Sequence, residues 1–273
     1  MTRRNRKNAA RQGVKKALYW PYEFVTRSFF DPLGLLNKLR AAPYFVRNAA
    51  RYNRGNPKRS FRLRFRDLWY RSYDRFSAAG ALPHHYFYQD LWAAQWLFDA
   101  GVSEHVDVAS RLDGFIAHLL LFCRVTYVDI RPIAVDWTNF DFRAGAITNM
   151  PFAGDSVSSL SSLHVIEHVG LGRYGDPVDP RGYLHAATEL TRVLKPGGTL
   201  LLGTPVGREA LYFDAHRVFD PQTIRDAFAS LDLIEFSVIN DRNELLRNVP
   251  LDAGRQWNLG CGLYIFRKPE LAA

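Results

Sequence analysis

Between Tyr88 and Arg267 the chain alternates short β-branched runs with helical apolar spacing, and this narrows the folds open to it. Tyr88 to Ala100 (YQDLWAAQWLFDA) has helical spacing and stops at Gly101. His105 to Ala109 reads as a short buried strand, Gly114 to Phe122 as a helix, and Val125 to Ile130 as a strand stopped by Pro132. Val157 to Leu163 is a further strand. Gly182 to Leu194 is a helix closed by Lys195-Pro196-Gly197-Gly198, whose glycines permit the left-handed backbone that turns a helix into a strand. Thr199 to Thr204, Leu233 to Asn240 and Gly262 to Arg267 read as strands, and Pro221 to Ser230 as a helix. Strands alternating with helices predict a doubly wound α/β domain around a mostly parallel sheet. Two closing strands with no long helix between them fit a last strand that runs antiparallel.

Charge divides the chain. Residues 1–75 hold 20 Lys and Arg against 4 Asp and Glu, whereas the whole chain is only +9, so the rest is acidic. The expectation is a basic, aromatic-rich helical extension over residues 1–80 and a Rossmann-like domain over 81–273. In the extension, Tyr19, Trp20, Tyr22, Phe24, Phe29, Phe30, Phe61, Phe65, Trp69 and Tyr70 lie among arginines. Leu33 to Arg51 reads as an amphipathic helix. Such a segment suits packing on the main domain, an anionic membrane surface or, less well, nucleic acid. Oligomeric state is left open.

An apolar content of 47% supports a sizeable core. Cys123 and Cys261 sit in apolar stretches and read as small buried hydrophobes, which fits a reducing, cytoplasmic compartment; the peripheral membrane contact expected beside it comes from the basic extension. No cysteine spacing suggests a disulfide framework or a zinc site. The longest apolar run, Leu119 to Cys123, is far too short to span a bilayer. Arg3, Arg4, Arg6 and Lys7 lead into no secretory apolar core.

Three stretches carry a resemblance. They are Asn149-Met150-Pro151-Phe152-Ala153-Gly154-Asp155-Ser156-Val157, Ser161-Ser162-Leu163-His164-Val165-Ile166-Glu167-His168-Val169, and Glu189 to Leu200 with its LKPGG turn. In this order and spacing they resemble the class I S-adenosylmethionine-dependent methyltransferases. In that family they are the loop before strand four, the end of that strand with the following helix start, and the helix, turn and fifth strand. The resemblance implies a Rossmann-like methyltransferase fold with a seven-stranded sheet. Asp107 to Phe115 and Gly170 to Asp176 also resemble a narrower, uncharacterised methyltransferase-like family associated with polysaccharide and glycoconjugate pathways.

The resemblance implies a cofactor site of Asp107, Ala109, Ser110, Gly114, Asp129, Ile130, Ile147, Thr148 and His164. A loop at the first strand's end approaches the cofactor, and an acid about 20 residues on holds the ribose. Here that loop is Ala109-Ser110-Arg111-Leu112-Asp113-Gly114, with a single glycine and a bulky Arg111. The Arg111 side chain either points outward, pairs with an anion or reshapes the pocket. Near Ala146, where the family often has an acid, this chain has none.

Methyl transfer to oxygen or nitrogen needs a base. His168 and His216 are the candidates, while His164 and Glu167 also read as groups that cap and orient the helix expected after strand four. Arg173, Tyr174 and Asp176, in a Gly/Pro/Asp-rich loop, are candidate substrate contacts. His164-Val165-Ile166-Glu167-His168 also spells H-x-x-E-H, a zinc pattern that requires a helix. A strand signal running into His164 argues against it, and no metal is expected. Two readings follow. One is methyl transfer to a small or lipid-linked glycan-type acceptor. The other is a degenerate, non-catalytic binding module with the same fold.

Overall fold

The structure, a computed structural model, describes residues 32–55, 61, 63–70 and 85–270. The basic residues Arg3 to Lys7 and the aromatics Tyr19 to Phe30 lie outside them. Internal contacts divide the chain into two units, Met1–Ala81 and Leu82–Ala273. In the first unit, helix α1 (Pro32–Arg54) precedes a 3₁₀ turn (Phe65–Asp67). Phe45 meets Tyr70 edge-on at 5.0 Å.

In the second unit, α2 (Tyr86–Asp99) leads to β1 (Glu104–Val108), a π-helical turn (Leu112–Ile116), the short α3 (Ala117–Leu119) and β2 (Arg124–Asp129). Then come β3 (Phe140–Ala144), β4 (Val157–Leu163), α4 (Gly182–Val193) and β5 (Leu194–Val206). A hairpin of β6 (Ala210–Tyr212) and β7 (His216–Val218) precedes α5 (Pro221–Ala227). The chain closes with β8 (Asp232–Ile239), β9 (Leu245–Leu246), a 3₁₀ segment (Leu251–Gln256) and β10 (Gly260–Arg267).

The main sheet has eight strands in the order β3-β2-β1-β4-β5-β10-β8-β9. β1 to β5 pair in parallel, and β10 runs antiparallel to both β5 and β8. This is the doubly wound Rossmann-like arrangement that the methyltransferase resemblance implies. The eighth strand is β9, two residues pairing Val238 with Leu246 and Ile239 with Leu245. One face buries Leu190, Val193, Ile224 and Phe228 of the α4–α5 side, and the other buries Trp92, Leu97, Phe115 and Leu119 of the α2–α3 side. Gly203 on β5 permits close approach of α2, because a Cβ there would stand 2.5 Å from the Gln89 side chain.

Local chemistry sets the ends. Asp220 caps α5 by accepting from Gln222 N–H at 2.8 Å, and Pro221 needs no donor at the first helical position. The LKPGG stretch does not lie between a helix and a strand but is the start of β5 itself. Val157 pairs with Leu194 and Ser159 with Thr199, so the turn bulges within the strand. The helix expected after β4 is also displaced. Residues 164–169 form turns, so the H-x-x-E-H sequence is not helical, and α4 begins only at Gly182.

Candidate cofactor and acceptor site

A doubly wound sheet binds ligands at the C-terminal ends of its parallel strands, where the order reverses. Here that point is β1, flanked by β2 and β4. Two adjoining cavities open there, of about 320 and 530 Å³. The smaller has mostly apolar walls, with Val108, Val128 and Ile147 on one side and Thr148 at its edge. The larger is more polar, with Tyr86, Ser110, Arg111 and Tyr127 around it. Ala109, Asp129, Arg131, His164, His168 and Tyr174 line both.

Ala109 carries φ +56°, a left-handed conformation that favours glycine. The loop therefore keeps the backbone path of a glycine turn without the glycine. His164, directly after β4, is also left-handed at φ +58°. Two strained residues face each other across the strand ends, and such strain persists where surrounding structure holds it.

Beneath the loop lies a buried polar network. Asp107 accepts from Ser110 N–H at 3.0 Å, from the Ser110 hydroxyl at 2.6 Å and from the Ser161 hydroxyl at 2.5 Å. His105 bridges Ser159 at 2.7 Å and Ser161 at 2.8 Å. Ser161 spends its proton on Asp107, so it accepts from His105 Nε2–H, and His105 Nδ1 accepts from Ser159. Burial lowers the His105 pKa to about 3 and raises that of Asp107 to about 6. The serines of β4 thus satisfy groups that would be costly to bury alone. Asp107 supports the loop from below and lines neither cavity.

Asp129 ends β2 with its carboxylate inside the site, but Arg131 holds it. Oδ1 accepts from Arg131 N–H at 2.8 Å and Nε at 3.1 Å, and Oδ2 accepts from Nη2 at 3.0 Å. The same guanidinium lies 4.8 Å from the Tyr174 ring centroid. Arg111 stays out of the apolar cavity: it pairs with Asp113 at 2.9 Å and stacks on Tyr86 at 4.8 Å.

The turn after β4 supplies the basic groups. Glu167 is buried, with its Oε1 at 2.7 Å from His164 Nδ1. Burial alone would raise Glu167 and lower His164. Instead the His164 charge and hydrogen bond bring Glu167 down, while Cys261 and Glu167 bring His164 well above its ordinary value. The His164 Nε2 atom is buried, and a contact with the Cys261 side chain adds to the upward shift of this ring. His168 Nδ1 stands 2.6 Å from the Ala215 carbonyl, which can only accept. The neutral ring accordingly carries its proton on Nδ1 and keeps a lone pair on Nε2. Nε2 is 3.8 Å from Glu167, beyond hydrogen-bond reach.

Several predicted contacts fall elsewhere. Gly114 lines neither cavity but packs against α2, where a Cβ would collide with Asp90 at 2.0 Å. His216 lies behind His168 on β7 and lines neither cavity; its Nε2 is buried without a partner, and burial depresses its pKa. Arg173 also stays outside the cavities, donating to the Ala215 carbonyl at 3.1 Å. Asp176 lines the apolar cavity, yet its carboxylate is used by its own loop, accepting from Gly170 N–H at 2.7 Å and Tyr174 N–H at 3.2 Å. Ile130, Ile147, Thr148 and Tyr174 do line cavity walls. Sequence reasoning missed Tyr86 and Arg131. Arg131 had one available cue, its place two residues after the strand-end acid.

A family model described as "Caenorhabditis protein of unknown function, DUF268" matches residues 140–251. The match runs from β3 into the last 3₁₀ segment and includes His164, Glu167, His168 and His216. No curated protein matches the chain in sequence. Among solved structures, the chain is similar to the N-methyltransferase NodS from Bradyrhizobium japonicum in complex with S-adenosyl-L-homocysteine. The identity is 20%, over 67% of this chain and 86% of that one, with a TM-score of 0.47. It is similar to the 1,6-didemethyltoxoflavin-N1-methyltransferase from Burkholderia thailandensis, at 14% identity over 67% of this chain and 80% of that one, TM-score 0.48. It is also similar to the [4+2]-cyclase SpnF, at 14% identity over 66% of this chain and 81% of that one, TM-score 0.47.

Proposed function

We propose that this chain transfers a methyl group from S-adenosylmethionine to an oxygen or nitrogen of a small or lipid-linked glycan-type acceptor, in the cytoplasm and at an anionic membrane surface. One observation carries the catalytic reading. Ala109, Asp129 and His168 border the same pair of cavities at the reversal point of the sheet.

The residues fit this cofactor. The apolar walls of Val108, Val128 and Ile147 suit a flat base, and Asp129 is an acceptor for ribose hydroxyls. When bound, S-adenosylmethionine supplies an electrophilic methyl group on sulfonium sulfur. The chain's part is to hold the acceptor atom in line and to take its proton.

His168 is the base. Its Nδ1–H remains on the Ala215 carbonyl, which Arg173 also holds, so Nε2 keeps its aim and accepts the acceptor's proton. Tyr86, Arg111 and Tyr174 border the polar cavity around the acceptor.

A second reading, a binding module without catalysis, is favoured by one observation: Arg131 occupies both oxygens of Asp129. Calorimetry with S-adenosylhomocysteine tests the first reading. Under the second, the nucleoside releases no binding heat and changing Asp129 has no consequence.

A further inference from the structure

Helix α1 carries an apolar stripe on its exposed side. At 100° per residue, Leu35, Leu39 and Val46 fall within about 40° of one another, and Pro43 and Leu36 continue the stripe. Leu39 is 63% exposed and Val46 65%. The packed side of the helix is elsewhere. Ala41 is buried, Phe45 meets the Tyr70 ring, and the Tyr70 hydroxyl donates to the Lys38 carbonyl. Among the described residues, Leu35, Leu39 and Val46 stay exposed once these contacts are made.

Charge beside the stripe has one sign. Arg40, Arg47, Arg51 and Arg54 run along one flank within about 60° of one another, and Lys38 stands on the other. No acidic residue interrupts α1. No helix among the described residues is long and apolar enough to cross a membrane. A helix with an apolar stripe and a basic flank lies in the plane of a lipid interface, its apolar side among acyl carbons and its cations at head groups. Nucleic acid would engage the arginines but leave Leu39 and Val46 in water.

We infer that α1 is an interfacial helix that binds an anionic lipid bilayer through Leu35, Leu39 and Val46, with the flanking arginines on the head groups. This deepens the membrane part of the proposed function and is independent of the cofactor site. Binding then brings the second unit to lipid-linked acceptors.

The test is co-sedimentation of the full chain with phosphatidylcholine vesicles, with and without phosphatidylserine. Binding is expected only with phosphatidylserine, and it weakens as salt rises. Leu39→Glu with Val46→Glu should weaken it more than tenfold, and Arg47→Gln or Arg51→Gln about fivefold each. All three variants alter exposed side chains, and their unfolding transitions should match the unaltered chain's. Titration with S-adenosylhomocysteine should give each variant the same result as the unaltered chain, which separates this inference from the catalytic reading. The inference is overturned if phosphatidylserine vesicles sediment none of the protein. It is also overturned if the Glu variant binds as well as the unaltered chain, or if a duplex oligonucleotide binds α1 and the vesicles do not.

Discussion

Asp129 and Arg131 stand two residues apart at the end of β2, and the guanidinium spans both carboxylate oxygens at 3.0–3.1 Å. The acid suited to a ribose is thus already engaged by its neighbour. The Arg131 side chain is 58% exposed, so solvent screens the pair and its loss costs little. A ligand can displace it.

Arg131→Ala should therefore tighten S-adenosylhomocysteine binding by roughly two- to fivefold, because the ligand no longer competes with the guanidinium. Titration calorimetry of the two proteins checks this. Weaker binding by the variant would instead make Arg131 a contact to the ligand.

That pair also marks how far the sequence could be read. The β2 end at Asp129 and the β4 end were legible because each is a local backbone feature in a fixed order, whereas the LKPGG stretch expected as a turn lies within β5. The Arg131 engagement was not legible, since residue spacing does not say which partner a carboxylate takes. The strand β3 was missed although FDFRA alternates apolar and polar residues, because the signal spans only five half-buried or exposed residues on the sheet edge. The β6–β7 hairpin escaped because its strands have three residues each. The serines of β4 gave no hint of their role, which depends on His105 and Asp107 more than 50 positions away.

His168 should be found with its proton on Nδ1. Nitrogen-15 NMR of histidine-labelled protein at mildly alkaline pH should show a protonated Nδ1 and a bare Nε2 for this ring. The opposite tautomer would remove Nε2 as a base. His168→Gln should lower methyl transfer by about 10²- to 10⁴-fold while changing nucleoside affinity by no more than a few fold.

Stability should depend on the His105 ring. Its folded pKa, about 3, lies below the ordinary 6.5. Its contribution is therefore complete above the unfolded value and lost as pH falls toward about 3. Asp107, raised to about 6, acts in the opposite sense: its contribution is present at low pH and lost as pH rises through that value. Urea unfolding of the unaltered chain and His105→Asn should diverge across pH 3 to 6.5, by up to about 1.4 kcal/mol per pH unit. Parallel curves would contradict a buried neutral ring.

Ala109→Gly should stabilise the fold. A left-handed alanine costs about 1–2 kcal/mol, and the freer unfolded glycine gives back about 0.4–1 kcal/mol. The net gain, roughly 0.5–1 kcal/mol, should appear as a higher urea midpoint. Ala109→Val should lower it, because a β-branched residue tolerates positive φ less well.

The central claim is that Asp129 lies in a nucleoside site, and titration calorimetry of the full chain with S-adenosylhomocysteine tests it most directly. The account predicts saturable heat from the unaltered chain and an affinity ten- to a hundredfold lower in Asp129→Ala, the scale of hydrogen bonds to a charged group. No heat at millimolar ligand, or equal affinity in the variant, would contradict it.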